Sequence, residues 1–415
     1  MNNSLSVGAG QDERSFLLGN GLLLKELGAK DPGAREAVLP DERVRIEISR
    51  GAGAAVVASV VLTLAERAEL SWAHGGQPEG LDSSVLLSNV RISDADAVIP
   101  STLLYFAARR ARMMGRANLL IRAEEVTFSN DILHLVSCSE AWPEVLTQRV
   151  DLAAHYTAQS LEKLAAPMPA SVRAREVEEV TKRWLAGGSE WGFFKALRDG
   201  TLTRQQYVYA LSNIYQFVRH TTRLVARAIA HSPTTEMRTH FIKHMNGEVN
   251  HELIIERDLE HLGEDVAYVR DHMAPNGPTQ EFMAIQESMI GYYEDPVLLM
   301  ASPVAAEGVT AHLDQAFADS LHEGLRRWKV GKPEKASRFF ISHMHTDGGD
   351  DGHWEMTIAF LEGCLTTESK HQFFMRSLRS AMRGTQRLYD SFVTDMPTFT
   401  PTAKQHQKVG AQASA

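Results

Sequence analysis

The chain has 415 residues, enough for two domains or for one large and one small. With 44% hydrophobic and 23% charged residues it buries a sizeable core and is not disordered throughout. A net charge of −9 speaks against general nucleic-acid binding, which wants a basic face.

Two cysteines, Cys138 and Cys364, leave no basis for a disulfide framework or a cysteine-based metal site. The start, Met1-Asn2-Asn3-Ser4, lacks the basic and apolar regions of a signal peptide. The most apolar stretch, Ala52 to Ala65, falls well short of the roughly 20 residues of a membrane helix. A soluble, cytoplasmic protein is expected, with no nucleic-acid or membrane partner.

Residues 1–15 read as a loose polar tail. Residues 16–165 follow as a small mixed α/β domain. Arg43 to Ile48 alternates like a half-buried strand, and Val56 to Leu64 is β-branched and apolar, like a central one. Ser84 to Ser88 and Ala117 to Ile121 are shorter strands. Between them Ser101 to Met114 reads as a helix with an apolar face at Leu103, Leu104, Phe106 and Ala107.

Pro167, Pro169 and Ser171 mark a junction, and residues 170–395 are helical nearly throughout. Helices are expected at 171–186, 189–199, 203–231, 234–263, 279–293, 298–327, 332–347, 350–367 and 369–393. Thr203 with Gln206 resembles a capping box. Residues 400–415 form a second tail. The fold class is α+β overall: a small mixed α/β domain, then an all-α helical bundle.

Of 17 histidines, 14 follow residue 166, a pointer to metal or acid–base chemistry in the helical half. Glu248 and His251 are three apart and so share a face of the expected 234–263 helix. A carboxylate and an imidazole at that spacing, facing into a bundle, hold iron or manganese. The segment His343 to Glu355 packs three histidines and three aspartates into its first 11 residues. His343, Asp347 and Asp350 lie on one helical stripe, and His353 follows Asp350 by three. Three glycines there weaken a helix by about 1 kcal/mol each. Close carboxylates repel unless a cation relieves them. Glu307 is a lone carboxylate in a small-residue run, costly unless paired.

Asn246, Glu248, His251 and the closing Asp258-Leu259-x-x-Leu262-Gly263 resemble the second core helix of the haem-oxygenase-like fold. The match is closest to its branch of non-haem diiron oxidases and oxygenases. Glu307 falls where that branch has an isolated glutamate, and Phe339-Phe340-x-x-His343-x-x-x-Asp347 resembles the start of its last ligand helix. Leu197-x-x-Gly200-x-Leu202-Thr203 and Tyr215 to Val218 resemble its first core helices.

The resemblance covers about 180–395. It implies two Fe(II) ions per chain, O2 as co-substrate, and oxidation of a small molecule such as an amino acid, amine or fatty acid. The implied ligands are Glu248, His251, Glu307, His343 and Asp347. The last ligand is Asp350 or His353, because the family's closing histidine position is Asp350 here. The first-helix ligand falls to His220, with Gln216 as the other candidate. His345, Asp351 and Asn250 are candidates for orienting the ligands. Phe193, Phe194, Tyr207, Tyr215, Phe282 and Met283 are core residues, some of which line a pocket.

The N-terminal strand–helix–strand loosely resembles the core of GNAT acyltransferases. The loop before its helix, Asp94 to Pro100, has two acids and no glycine, the wrong chemistry for a pyrophosphate. That resemblance implies a degenerate domain serving dimerisation or substrate delivery, so a homodimer is expected. Two other readings stand beside the oxygenase. One is a metal-free enzyme of the same fold, thiaminase-related or a cofactorless oxidase. The other is a non-enzymatic helical binding module.

Overall fold

In the computed structural model the described residues are 13–18, 22–28, 43–64, 84–94, 96, 98–113, 118–122, 138–142, 147–151, 168–348 and 352–396. The chain divides into two compact units. One spans Met1–Glu176 with Leu365–Ser369, and the other Val177–Cys364 with Lys370–Ala415. Among the described residues, no helix is long and apolar enough to cross a membrane. The expected tail at 400–415 lies outside the described residues.

Among the described residues the first unit has eight strands: β1 (Glu13–Leu17), β2 (Leu23–Gly28), β3 (Arg43–Ser49), β4 (Val56–Leu64), β5 (Ser84–Ile92), β6 (Asn118–Arg122), β7 (Cys138–Trp142) and β8 (Thr147–Asp151). They form one sheet in the order β1-β2-β3-β4-β5-β6-β8-β7. Only β5 and β6 run parallel, and helix α1 (Val98–Met113) makes the crossover between them. β1 begins inside the stretch expected to be a loose tail, because Glu13–Leu17 pairs along the whole of β2 up to Leu27.

The alternation in β3 sends Val44, Ile46 and Ile48 into the core, where Val60 and Leu62 of β4 and Leu103 and Leu104 of α1 join them. The sequence suggests an α1 with one apolar face; instead Ser101 to Ala111 are all buried. Its arginine Arg109 tolerates this because Glu176 and Glu368 both pair with it and Tyr105 donates to Glu368 at 2.9 Å. At the other end of α1, Asp96 accepts the Val98 N–H at 3.0 Å, and Arg50 pairs with Asp94 and Asp96. Of the two acids that are wrong for a pyrophosphate, Asp96 thus caps the helix, and Asp94 accepts the Asp96 N–H at 3.0 Å.

The second unit is all-α. Its helices, beginning with α2 (Ala170–Leu185), in whose first half the division falls, are α3 (Gly192–Arg198), α4 (Arg204–His231), α5 (Thr235–Glu248), α6 (His251–His261), α7 (Val266–Asp271) and α8 (Gly277–Glu287). After them come α9 (Pro296–Leu299), α10 (Ala301–Ala311), α11 (Gln315–Arg327), α12 (Arg338–Asp347), α13 (His353–Cys364) and α14 (Glu368–Thr394). The capping box at α4 is present: Thr203 accepts the Gln206 N–H at 3.2 Å and donates its own N–H to Gln206 Oε1 at 2.9 Å. Aromatic rings fill the centre, with Phe193 stacked on Phe340 at 5.6 Å and Phe194 against Tyr389 at 4.8 Å.

Several expected helices are interrupted, three of them with clear causes or forms. The 234–263 helix breaks between α5 and α6, where Asn250 takes the left-handed conformation, φ +69°. Asparagine is among the few residues that tolerate this. The 298–327 helix splits because Asp314 caps a new start, accepting the Phe317 N–H at 2.9 Å. The 279–293 helix loosens into a π-helical turn at Ser288–Tyr292.

Candidate metal centre

Five helices converge on one place in the helical unit. α5 ends in Glu248 and carries His244 one turn earlier, and α6 opens with His251. α10 supplies Glu307 and Thr310, and α12 supplies His343 and Asp347. The first residue of α13, His353, completes the set. α10 packs on both α12 and α13, and α4 packs on α5 and α6, which fixes the carriers.

The contacts are close. His251 Nδ1 lies 3.3 Å from Glu248 Oε2 and 3.2 Å from His343 Nε2. His353 Nδ1 lies 3.4 Å from Asp347 Oδ1 and 3.9 Å from Glu248 Oε1. His244 Nε2 lies 3.6 Å from Glu307 Oε1. Two groups of ligand-type atoms, each with all its members within 4.8 Å of one another, follow: His244, Glu248 and Glu307, and Glu307, Asp347 and His353. Glu307 belongs to both.

The orientation of the rings and carboxylates is set from outside. His343 Nδ1 is tied to the Phe339 carbonyl at 2.7 Å, which makes Nδ1 the donor and leaves Nε2 a lone pair aimed at the cluster. Thr310 Oγ1 donates to Asp347 Oδ2 at 2.6 Å, leaving Oδ1 for the centre. Asp347 Oδ1, Glu307 Oε2 and His353 Nδ1 are sealed from solvent with no hydrogen-bond partner. Three orphaned polar atoms of ligand type in one site are costly. A bound cation would satisfy all three at once. The donor set, imidazole with carboxylate, suits a divalent transition metal such as iron.

The electrostatics agree. Burial, with the charges of Asp347 and Glu248, holds the Glu307 carboxyl well above the usual carboxylate range. Burial also opposes ionisation of Glu248, but the His251 hydrogen bond and the neighbouring imidazoles win and bring it to about 2. Burial lowers His244 and His343. His251 moves up despite its burial, because Glu248 holds its proton.

The expected residues are thus placed as follows. Glu248, His251, Glu307, His343, Asp347 and His353 come together. Glu248 and His251 do so across the Asn250 break and not along one helix face. Asp350 and Asp351 lie outside the described residues. His220, on α4, has Arg223, Arg219 and Glu287 for charged neighbours and is in neither group. Gln216 is buried and spends its amide on the Val269 carbonyl at 2.8 Å. His345 is exposed. Sequence reasoning missed His244 and Thr310. His244 had a signal: it stands four residues before Glu248, on the same helical face.

His353 enters because two glycines make room. A Cβ on Gly247 would sit 2.7 Å from the His353 ring, and one on Gly308 would sit 2.9 Å from Trp354 Nε1. Trp354 in turn donates to the Val304 carbonyl of α10 at 3.0 Å.

Asp258 of α6 anchors α12. Its carboxylate accepts the N–H groups of Arg338 and Phe339, at 3.2 and 2.8 Å, at the start of the helix that carries His343 and Asp347. Burial outweighs these bonds and pushes its carboxyl up to about 7. A carboxyl raised above its unfolded value of 3.8 contributes stability that is full below that value and lost as pH rises through about 7. Relative to Asp258→Asn, the wild type is therefore expected to lose stability between pH 4 and pH 7, by about 4 kcal/mol at most. Denaturant unfolding of both proteins across that range checks it, and a flat difference would contradict it.

A cavity with about 730 Å³ of empty space, measured out to its mouth, opens on the cluster. His244, Glu248, Glu307, His343 and Asp347 form one wall. Apolar groups of α4, α9 and α10 form most of the rest. Such a concave, mostly apolar space beside convergent polar groups is where small ligands bind.

No family model matches the chain, and no curated protein matches it. Solved structures do. One is a domain of unknown function with a heme oxygenase-like fold from Shewanella denitrificans. It is 18% identical with a TM-score of 0.45, over 56% of this chain and 94% of that one. Another is a TenA homolog from Pseudomonas syringae, 14% identical with a TM-score of 0.44, over 56% and 94%. A third is a TenA family transcription regulator from Silicibacter, 14% identical with a TM-score of 0.40, over 54% and 96%. TM-scores below 0.5 at such identities leave the site's chemistry to its own geometry.

Proposed function

We propose that the helical unit is an O2-dependent oxidase or oxygenase with two iron ions, acting on a small molecule in the cavity. The observation that supports this best is Glu307, shared between two groups of ligand-type atoms. A carboxylate so placed could serve both groups if each held a cation.

Ferrous iron bound there would supply O2 activation and oxidising power. The chain's own residues do the rest. His244, Glu248 and Glu307 would hold one ion, and Glu307, Asp347 and His353 the other, with His251 and His343 alongside Glu248. The Phe339 carbonyl and Thr310 hydroxyl orient His343 and Asp347 toward the cluster. The apolar walls exclude water from the reacting substrate.

A second reading rests on a specific observation. Glu248 and His251 pair at 3.3 Å, and burial holds the Glu307 carboxyl well above the usual carboxylate range. Such a set is also an acid–base apparatus for a metal-free enzyme of the same fold. Among the described residues no thiol lines the cavity: Cys364 lies outside it, and burial pushes its thiol up to about 11. The test is O2 uptake at an oxygen electrode when anaerobically iron-loaded, desalted protein meets aerated buffer. Stoichiometric uptake that the metal-free protein lacks supports the iron reading. Equal traces from both leave the acid–base reading.

A further inference from the structure

Among the described residues five tyrosines are buried, and four of them spend their hydroxyl inside the protein. Tyr105 donates to Glu368 and Tyr215 to Glu256, each at 2.9 Å. Tyr207 and Tyr209 donate to the carbonyls of Ala336 and Asp395, at 2.9 and 3.4 Å. Tyr389, on α14, makes no such bond. Yet its oxygen is not among the partnerless polar atoms that are sealed from solvent. The residue is 5% exposed and lines the cavity beside the cluster. Its ring is walled in by Trp191, Phe193, Phe194 and Phe392, with centroids 4.8–6.2 Å away. The accessible part is therefore the hydroxyl, and it opens into the cavity. Burial, with the charge of Asp347, holds the phenol above its usual range, so the O–H stays intact at neutral pH. A neutral phenol donates better than it accepts, because the ring draws on the oxygen lone pair. Thr310, the hydroxyl beside Asp347, is already spent on that carboxylate. Tyr389 thus has a fixed ring and an unspent donor at its tip.

We propose that Tyr389 contacts the substrate: its O–H donates to an oxygen acceptor, carbonyl or carboxylate, on a molecule whose apolar remainder lies against Phe217, Val218, Leu224, Val225, Leu299 and Met300. This rests on the cavity beside the cluster being the substrate site. The bond holds the oxygen-bearing end of the molecule on the Asp347 side of the cavity. Because the ring is clamped by its neighbours, the fold sets where that oxygen sits.

The test is calorimetric titration of octan-2-one, octanoate and n-octylamine into anaerobic, iron-loaded protein and into the metal-free protein. Wild type and Tyr389→Phe are compared, with iron measured on the same samples. The amine, protonated at neutral pH, carries the same chain length and no acceptor. Phenylalanine keeps the ring and its packing, so the O–H alone is lost. Tyr389→Phe is expected to weaken whichever acceptor binds the more tightly by about five- to tenfold, and to leave the amine within about twofold. Iron content is expected to stay unchanged. Unchanged affinity for both acceptors, an equal loss for the amine, or no binding of either acceptor to wild type overturns the proposal. If iron is not retained but the selective loss persists in the metal-free protein, the contact stands and the two-iron reading falls alone.

Discussion

Glu307→Ala is expected to abolish retention of both metal ions, not one. The residue belongs to both groups of ligand-type atoms, so neither group keeps three members without it. Iron measured after anaerobic ferrous loading and desalting should fall from about two per chain to well under one. His244→Ala and His353→Ala, each in a single group, should fall to about one. The metal-free variant should not be less stable than metal-free wild type. Burial and the carboxylates of Asp347 and Glu248 already hold the Glu307 carboxyl far above its usual range, an unfavourable environment that alanine removes. Thermal unfolding checks that half. A variant that keeps two irons, or that loses iron only because it unfolds, would refute the bridging role.

Gly247→Ala is expected to behave like a ligand substitution although glycine has no side chain to bind with. An added Cβ would meet His353 Cε1 at 2.7 Å and Nε2 at 2.8 Å, closer than real contacts permit, so the ring must leave. In the last turn of α5, where Gly247 sits, alanine is otherwise favoured over glycine by at most about 1 kcal/mol. The variant should therefore retain about one iron while unfolding no earlier than wild type. Gly363→Ala, where a Cβ meets nothing within 4 Å, is the control and should retain the full complement. Full retention in Gly247→Ala would place His353 outside the centre.

Much of this was written in local pattern. The alternation of Arg43 to Ile48 gave β3, the Thr203–Gln206 pair gave the start of α4, and the His343–Asp347 spacing pointed to two residues of the cluster. What was not legible was non-local or rested on one residue. The sheet order, with β8 lying between β6 and β7, depends on pairings that no stretch of sequence declares. The break between Glu248 and His251 rests on Asn250 alone, in a run whose composition stays helical. The approach of His353 to the cluster depends on room left by Gly247, more than 100 residues earlier. In the helical pattern that glycine reads only as a weak helix former. His244 was missed because a lone imidazole facing inward is usually core.

The most direct measurement is a crystal structure of anaerobically iron-loaded protein with anomalous data collected at the iron edge. Two peaks flanking the Glu307 carboxylate are predicted, one toward His244 and Glu248 and one toward Asp347 and His353. No peak at Glu307, or a single iron bound away from it, would contradict the two-iron centre.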